Sequence, residues 1–144
     1  MIIASQKRKE NIAEYLLYMW QIEDIIRAYK LDIDTIDEQI VSKYNVPDDK
    51  KKEIREWYES LIDMMRREGV VESGHLQLNK NVIIDLTDLH LALLKSPKEP
   101  FYGATFFKTL PYIVELRAKT GDEPVGEIET CFCLLYTSPS PRDS

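Results

Sequence analysis

Carboxylate, amide and imidazole side chains occur at positions where helical spacing would turn them toward the interior of a helical protein. The candidate residues for such a polar core cluster are Glu14, Gln21, Glu23, His75, Asn79 and His90. Helical bundles hold metals and small ligands with inward carboxylates and imidazoles of this kind. A buried carboxylate is otherwise costly unless it is paired and hydrogen-bonded. The cluster is therefore predicted to be either a ligand site or a hydrogen-bonded part of the core.

The spacing of these residues matches a metal centre only in part. Glu72 and His75 have the Glu-x-x-His spacing found in di-metal bundles, but the motif occurs once, beside Gly74. A di-metal bundle needs that motif twice, together with two further inward glutamates. Inward polar residues are more often satisfied by hydrogen bonds within the structure. We therefore predict no metal ligands and no cofactor.

Motifs of other catalytic chemistries are absent from the sequence. It contains no Gly-x-Ser-x-Gly elbow, no phosphate-binding loop and no dinucleotide fingerprint. Cys131 and Cys133 lack a suitable base nearby in the sequence, and their spacing is not that of a zinc pair. These observations leave catalysis an open question and favour a protein that is not an enzyme.

An aromatic segment between helices offers a different kind of candidate site. Phe101 and Tyr102 follow two prolines in a predicted loop, and loops on rigid scaffolds often carry binding residues. These two residues could therefore line a groove for a ligand or peptide. Three further aromatic residues lie in the helix that follows: Phe106, Phe107 and Tyr112. At helical spacing such residues more often belong to the core.

The element that must position these groups is the apolar stretch from Glu10 to Tyr29. At about 100° per residue, its apolar side chains occupy two nearly opposite faces. A helix that is apolar on most sides is one that other helices surround. This stretch is therefore predicted to be the central helix. Glu23 lies on its strongest apolar stripe, and Arg27 follows at the spacing that favours an ion pair.

Capping residues and helix breakers mark the other helices. Asp32 and Asp34 are suitable N-caps for a short second helix, and Gly69 suits the left-handed position after a helix. Pro97 and Gly121 are expected to end helices four and five. The predicted helices cover residues 10–29, 34–44, 47–68, 75–95 and 104–119, and the stub of a sixth begins at residue 127.

The composition is that of a single globular domain. The chain has 144 residues, of which 44% are hydrophobic and 31% charged, and a formal net charge of −6. An acidic chain lacks the positive field that nucleic-acid binding needs. Its uncharged runs are too short to span a membrane, and two cysteines leave a reducing cytosol as the default. We therefore predict a cytoplasmic protein without nucleic-acid or membrane partners.

Two short segments differ in composition from the rest of the chain. The basic patch Lys7, Arg8 and Lys9 is expected to be a solvated face, with a phosphate or acidic partner as the alternative. The segment 133–144, CLLYTSPSPRDS, is rich in serine and proline and closely resembles a translated sequencing adapter. We therefore take residues 1–132 as one C-terminally truncated domain and residues 133–144 as a non-native tail. An unfinished bundle should leave an apolar groove open to water.

Five segments carry a resemblance to a known family: KRKENIAEYLLYMWQIED, WYESLIDMM, ESGHLQLNKN, SPKEPFYGATFFKTLPYIVELRAK and EIETCF. Over about residues 1–132 the chain resembles an uncharacterised bacterial all-helical family, the domain of unknown function 4924. The resemblance implies an all-helical fold, and it brings no activity, cofactor or catalytic residue with it. Members of the family continue through further helix where this chain departs from the pattern.

Together these features predict an all-α fold, an antiparallel helical bundle of five helices plus the stub of a sixth. The expected function is that of a non-enzymatic interaction module, which self-associates or binds a protein partner through apolar helix surface. The alternative is a bundle that binds a metal or small ligand and could be hydrolytic. Its candidate residues are Glu14, Glu23, His75 and His90.

Overall fold

The computed structural model describes residues 2–96, 98–120 and 126–137. Its α-helices are α1 (Ile2–Glu10), α2 (Ile12–Ala28), α3 (Ile33–Gln39), α4 (Asp48–Glu68), α5 (Gln77–Lys95), α6 (Pro100–Thr120) and α7 (Glu127–Thr137), with a 3₁₀ turn at Val41–Lys43. No strand occurs in these ranges, which confirms the all-α class. The predicted number of helices was wrong, because seven are present over the described residues instead of five and a stub.

Asn11 accounts for the additional helix at the N-terminus. It has an extended backbone, and its side-chain oxygen accepts hydrogen bonds from the backbone N–H groups of Ala13 (3.1 Å) and Glu14 (3.2 Å). This N-cap satisfies N–H groups that have no partner within the helix. Consequently α2 begins at Ile12, and the preceding residues form the separate helix α1.

The basic patch on α1 packs its cations against aromatic rings of α2. The Lys7 ammonium lies 5.6 Å from the centre of the Tyr18 ring, and the Arg8 guanidinium lies 5.2 Å from that of Tyr15. Both distances fall within the range of cation–π attraction. The patch therefore contributes to the packing of α1 on α2, which the expectation of a purely solvated face did not include.

The chain divides into two compact units, Met1–Lys80 and Asn81–Ser144, and α5 spans the boundary between them. In the first unit, α2 supplies more buried side chains than any other helix. Its buried side chains are Tyr15, Leu16, Leu17, Met19, Trp20, Ile22, Glu23 and Ile26. They occupy most of the helix circumference, as predicted, whereas Gln21 and Asp24 are exposed.

Helix α4 agrees closely with its prediction. It ends at Glu68, and Gly69 follows with φ +68°, the left-handed conformation expected for that glycine. The Gly69 N–H donates to the Arg66 carbonyl (3.3 Å), and the Val70 N–H donates to the Met65 carbonyl (3.0 Å). These bonds form a Schellman motif, which satisfies carbonyls at the helix end.

Helix α2 ends in the same motif without a glycine. The Lys30 N–H donates to the Arg27 carbonyl (3.0 Å), and the Leu31 N–H donates to the Ile26 carbonyl (2.9 Å). Lys30 has φ +57° and Leu31 has φ +59°. A left-handed conformation costs an ordinary residue about 1–2 kcal/mol. The connection between α2 and α3 therefore contains two consecutive strained residues.

Side-chain hydrogen bonds of Asp32 and of Tyr44 lie on either side of α3. Asp32 is the N-cap of α3, and its hydrogen bond from the Thr35 hydroxyl (2.8 Å) lowers the pKa of its carboxyl group. The helix ends at Gln39, earlier than predicted, and a 3₁₀ turn follows. Burial raises the pKa of Tyr18 and Tyr58, and both side chains hydrogen-bond with Tyr44.

The boundaries of α5 and α6 differ from their predictions at the N-terminal ends. Helix α5 begins at Gln77, so that His75 precedes it, and α6 begins at Pro100, where residues 96–103 were predicted to be loop. Proline is favoured at the first position of a helix because its missing N–H would have no helical partner there. Pro97, Gly121 and residues 138–144 lie outside the described residues. No helix in the described part of the chain is sufficiently long and apolar to cross a membrane.

Substitution of Lys30 by glycine tests the conformation at the end of α2. We expect Lys30→Gly to raise the free energy of unfolding by about 0.5–1 kcal/mol, because glycine avoids the Cβ contact of a left-handed residue. Gln21→Gly, an exposed position inside α2, is the matched control and should lower the free energy by about 0.5–1 kcal/mol. Urea denaturation measures both changes. Equal destabilisation by the two substitutions would contradict the left-handed assignment.

Candidate functional site

A buried carboxylate brings together three of the predicted polar residues. The Glu23 side chain is 1% exposed, and its Oε1 accepts a hydrogen bond from His75 Nδ1 at 2.7 Å. Its Oε2 accepts from the backbone N–H of Leu76 (2.7 Å) and from the side-chain amide of Asn79 (3.0 Å). Charge-assisted hydrogen bonds of this kind make a buried carboxylate tolerable. We call Glu23, His75, Asn79 and the neighbouring Trp20 the Glu23 centre.

Part of this geometry follows from the way α5 begins. The Leu76 carbonyl accepts from the N–H of Lys80 (3.0 Å), so Leu76 is the N-cap residue, and a leucine side chain cannot cap a helix. Glu23 accepts the Leu76 N–H, and Glu68 accepts the next N–H, that of Gln77 (2.7 Å). Carboxylates from α2 and α4 thus cap α5, where the helix dipole also favours negative charge.

The imidazole of His75 is held on two sides. Its ring stacks on the indole of Trp20, with 4.6 Å between ring centroids and 18° between planes, while its Nδ1 is bonded to Glu23. Because a carboxylate oxygen accepts, Nδ1 is the donor in this hydrogen bond, and Nε2 is the ring nitrogen that remains for another contact. The side chain is 29% exposed. The centre therefore presents an oriented imidazole that can accept a proton or bind a cation.

A metal site needs more ligands than this imidazole supplies. In the described part of the chain, no group of three or more histidine, cysteine, aspartate or glutamate residues could hold a metal ion together. The chemistry available at the Glu23 centre is therefore that of a single histidine oriented by a carboxylate.

Arg27 does not use the ion pair with Glu23 that its spacing suggested. Its guanidinium donates to the carbonyls of Val70 (3.1 Å from Nη2) and Gly74 (2.6 Å), and it pairs with Asp24 at 3.3 Å. The carboxylate oxygens of Glu23 are already taken by other donors. Arg27 consequently ties the connection between α4 and α5 to α2 and supports the position of His75.

The structure does not bring Glu14 or Gln21 to the Glu23 centre. Gln21 is exposed, because it precedes Glu23 by two positions and so points about 200° away around the helix. Glu14 is half-buried and lies about two and a half turns from Glu23, or roughly 13 Å along the helix axis. The predicted core cluster was thus too broad in its α2 members.

The remaining predicted histidine takes part in a different contact, in the second unit. His90 is 3% exposed, its Nδ1 lies 2.5 Å from the Tyr102 hydroxyl, and its ring packs edge-on against Phe106 at 4.5 Å. Burial, and to a lesser degree the neighbouring Cys131, raises the pKa of the Tyr102 hydroxyl. Tyr102 therefore acts as a structural partner of His90.

The other predicted groove residue points to solvent. Phe101 is 85% exposed, and two further residues of α6, Phe107 (67%) and Tyr112 (71%), are also exposed. We call these three residues the α6 aromatic surface. The prediction that aromatic residues at helical spacing belong to the core was wrong for Phe107 and Tyr112. A helix start at Pro100 was the sequence signal that could have revealed this for Tyr112, because it places Phe101 in the same helix, about three turns away and on the same side.

Substitution of Glu23 by glutamine tests the Glu23 centre as a support of the first unit. We expect Glu23→Gln to lower the free energy of unfolding by about 1–3 kcal/mol, because the amide cannot accept at both of its terminal atoms and leaves buried donors unsatisfied. The control is Glu68→Gln, because Glu68 is exposed and also caps the start of α5. This substitution should change the free energy of unfolding by less than about 1 kcal/mol. Chemical denaturation measures both, and similar losses would contradict a special role for Glu23.

Comparison with known proteins identifies a family. The model of the family described as Domain of unknown function (DUF4924) matches residues 1–139. This range includes the Glu23 centre and the α6 aromatic surface, and it extends past residue 132, where the resemblance was predicted to stop. No curated protein and no solved structure matches the chain.

Proposed function

The chain belongs to the DUF4924 family, and we propose that it is a non-enzymatic interaction module that self-associates or binds a protein partner through the α6 aromatic surface. The observation that carries this proposal is the exposure of Phe101 (85%), Phe107 (67%) and Tyr112 (71%). Large exposed apolar patches on water-soluble proteins often mark interaction sites. Aromatic side chains also supply much of the binding energy where interfaces are buried.

The arrangement of residues along α6 supports a docking face. Phe101 and Tyr112 are separated by about three turns and so lie on the same side of the helix, whereas Phe107 lies about 120° from Phe101 around the helix axis, toward the edge of this face. The exposed residues between them include Ala104 and Pro111, which are small or apolar. Lys108 is the only charged residue between positions 100 and 113. Depletion of charge lowers the desolvation cost of covering such a face, as in the centres of known interfaces.

We also propose that the helices form an antiparallel bundle and that the protein is cytoplasmic. An antiparallel bundle is supported by the short connections between helices, since short connections place successive helices antiparallel. A cytoplasmic location in a bacterium is supported by the family resemblance and by Cys131 and Cys133, which form no disulfide in the described part of the chain.

The double variant Phe101→Ser/Phe107→Ser tests the interaction function. At tens of micromolar protein, where typical dimers persist, we expect light scattering to give a multiple of the chain mass for the parent protein and a lower mass for the variant. Both positions are exposed, so the free energy of unfolding should change by no more than about 0.5 kcal/mol each. Val71→Ser, at an exposed apolar residue of the first unit, is the control and should leave the mass unchanged.

A strictly monomeric parent protein would contradict self-association. Partner binding would then be tested by crosslinking in cells from a photoreactive residue at position 107. If Phe101→Ser leaves the crosslinked products unchanged, the α6 aromatic surface is not the binding site.

The Glu23 centre favours a second candidate function, binding or hydrolysis of a small ligand at His75. Its support is the oriented, partly exposed imidazole, beside which the buried Oδ1 of Asn79 has no hydrogen-bond partner among the described residues. Such an acceptor could take a donor from a ligand. A positioned general base typically contributes a factor of about 10²–10⁴ to a rate.

His75→Gln distinguishes this candidate from the first. We expect purified protein to contain no stoichiometric metal by elemental analysis, and we expect the parent protein and His75→Gln to hydrolyse p-nitrophenyl acetate at the same background rate. A rate at least about tenfold lower in the variant would favour a catalytic imidazole instead. His90→Gln controls for the loss of any histidine, because His90 is buried beside Tyr102.

A further inference from the structure

An open cavity in the first unit is lined by none of the residues of the Glu23 centre. It has a volume of about 480 Å³ and is formed by the connection between α2 and α3 and by one face of α4. This volume is within the range of small-molecule sites. Its apolar lining includes Leu31 and Ile62, both buried, and the half-buried Ile33. The exposed lining is mainly polar, and these aliphatic residues provide a smaller apolar part that a small aliphatic group could contact.

Two of the acidic residues around the cavity already have partners. The Glu59 carboxylate accepts from Arg55 at 3.1 Å, and that guanidinium also binds Asp34 and Asp37. Asp32 is engaged as the N-cap of α3. These carboxylates serve the packing of α3 on α4 and are not available to a ligand without loss of those bonds.

Three other charged residues of the cavity retain unused hydrogen-bonding capacity. In the part of the chain that the structure describes, the side chains of Lys30 and Asp63 have no hydrogen bond or ion pair. Arg66 donates from Nη2 to the Leu31 carbonyl at 3.4 Å, which leaves its other N–H groups available. Asp63 and Arg66 are three positions apart on α4, so their Cβ atoms are roughly 5–6 Å apart, yet they form no ion pair with each other.

We propose that this cavity binds a free aliphatic α-amino acid. The ligand ammonium pairs with Asp63, and its carboxylate pairs with Arg66 and Lys30. Asp63 and Arg66 are one helical turn apart on the same side of α4, so their side chains can reach neighbouring groups of one small ligand. The aliphatic side chain lies on Leu31 and Ile62. A peptide terminus would not satisfy the site, since it carries only one of the two charges next to its side chain.

The backbone at the edge of the cavity supports this assignment. Lys30 and Leu31 are held in left-handed conformations by the Schellman hydrogen bonds at the end of α2. The Leu31 carbonyl accepts from Arg66, so the position of this guanidinium is already restricted before a ligand arrives. Such preorganisation reduces the entropy lost on binding. The inference is independent of the interaction function, which rests on the second unit.

Titration of the full chain with L-leucine, followed by amide NMR shifts and calorimetry, tests the proposal. We expect saturable shifts at residues 30–33 and 59–66. The analogues 3-methylbutylamine, which lacks the carboxylate, and 4-methylpentanoate, which lacks the ammonium, should each bind at least about tenfold more weakly, since each loses a charge-assisted contact.

Two substitutions and a control complete the test. Asp63→Asn and Arg66→Gln should each weaken leucine binding at least about tenfold. Lys52→Gln, an exposed residue on α4 outside the cavity, should leave it unchanged. All three positions are exposed, and unfolding curves verify that the variants fold. The proposal is overturned if leucine gives no saturable shift up to about 10 mM, near the weak limit of small-ligand affinity. It is also overturned if the parent protein binds either analogue as tightly as leucine. The same holds if either cavity variant binds leucine as tightly as the parent protein does.

Discussion

The buried carboxylate of Glu23 is the interaction on which the first unit of this protein depends. An ionised group in the core is stable only when donors replace the water that it loses. Here the donors are the His75 ring, the Leu76 N–H and the Asn79 amide, all from a segment that lies far along the chain. Because each of these groups also needs an acceptor, the carboxylate and the start of α5 satisfy one another.

This mutual dependence also explains the neighbouring contacts. A helix whose N-cap residue is a leucine has no side-chain cap of its own, and the carboxylates of Glu23 and Glu68 replace that cap from other helices. Because Glu23 is fully engaged, Arg27 binds the carbonyls of Val70 and Gly74 instead and holds the connection that carries His75. Buried polar contacts of this kind can restrict a helix to one position, although they add little net stability compared with apolar packing.

The polar groups that have partners and those that lack them suggest different roles. The Arg55 guanidinium is paired with three carboxylates, whereas Asp63 and Lys30 lie at a cavity and have no ion pair among the described residues. The same distinction separates the aromatic residues of α6. Tyr102 contacts His90, while Phe101 is exposed to water. Groups whose interactions are incomplete within the chain are the ones that a partner or ligand can complete, and our proposals rest on those groups.

The sequence by itself determined what depends on near neighbours. The all-α class, the end of α4 at Glu68 and the left-handed Gly69 were predicted correctly, and Asp32 is one of the two aspartates predicted as caps for α3, because each of these features follows from residues within about one helical turn. The partners of Glu23 and Arg27, and the opposite environments of Phe101 and Tyr102, were decided only by the tertiary structure. Periodicity shows which face of a helix is apolar, but the acceptor that a charge meets is supplied by a distant part of the chain.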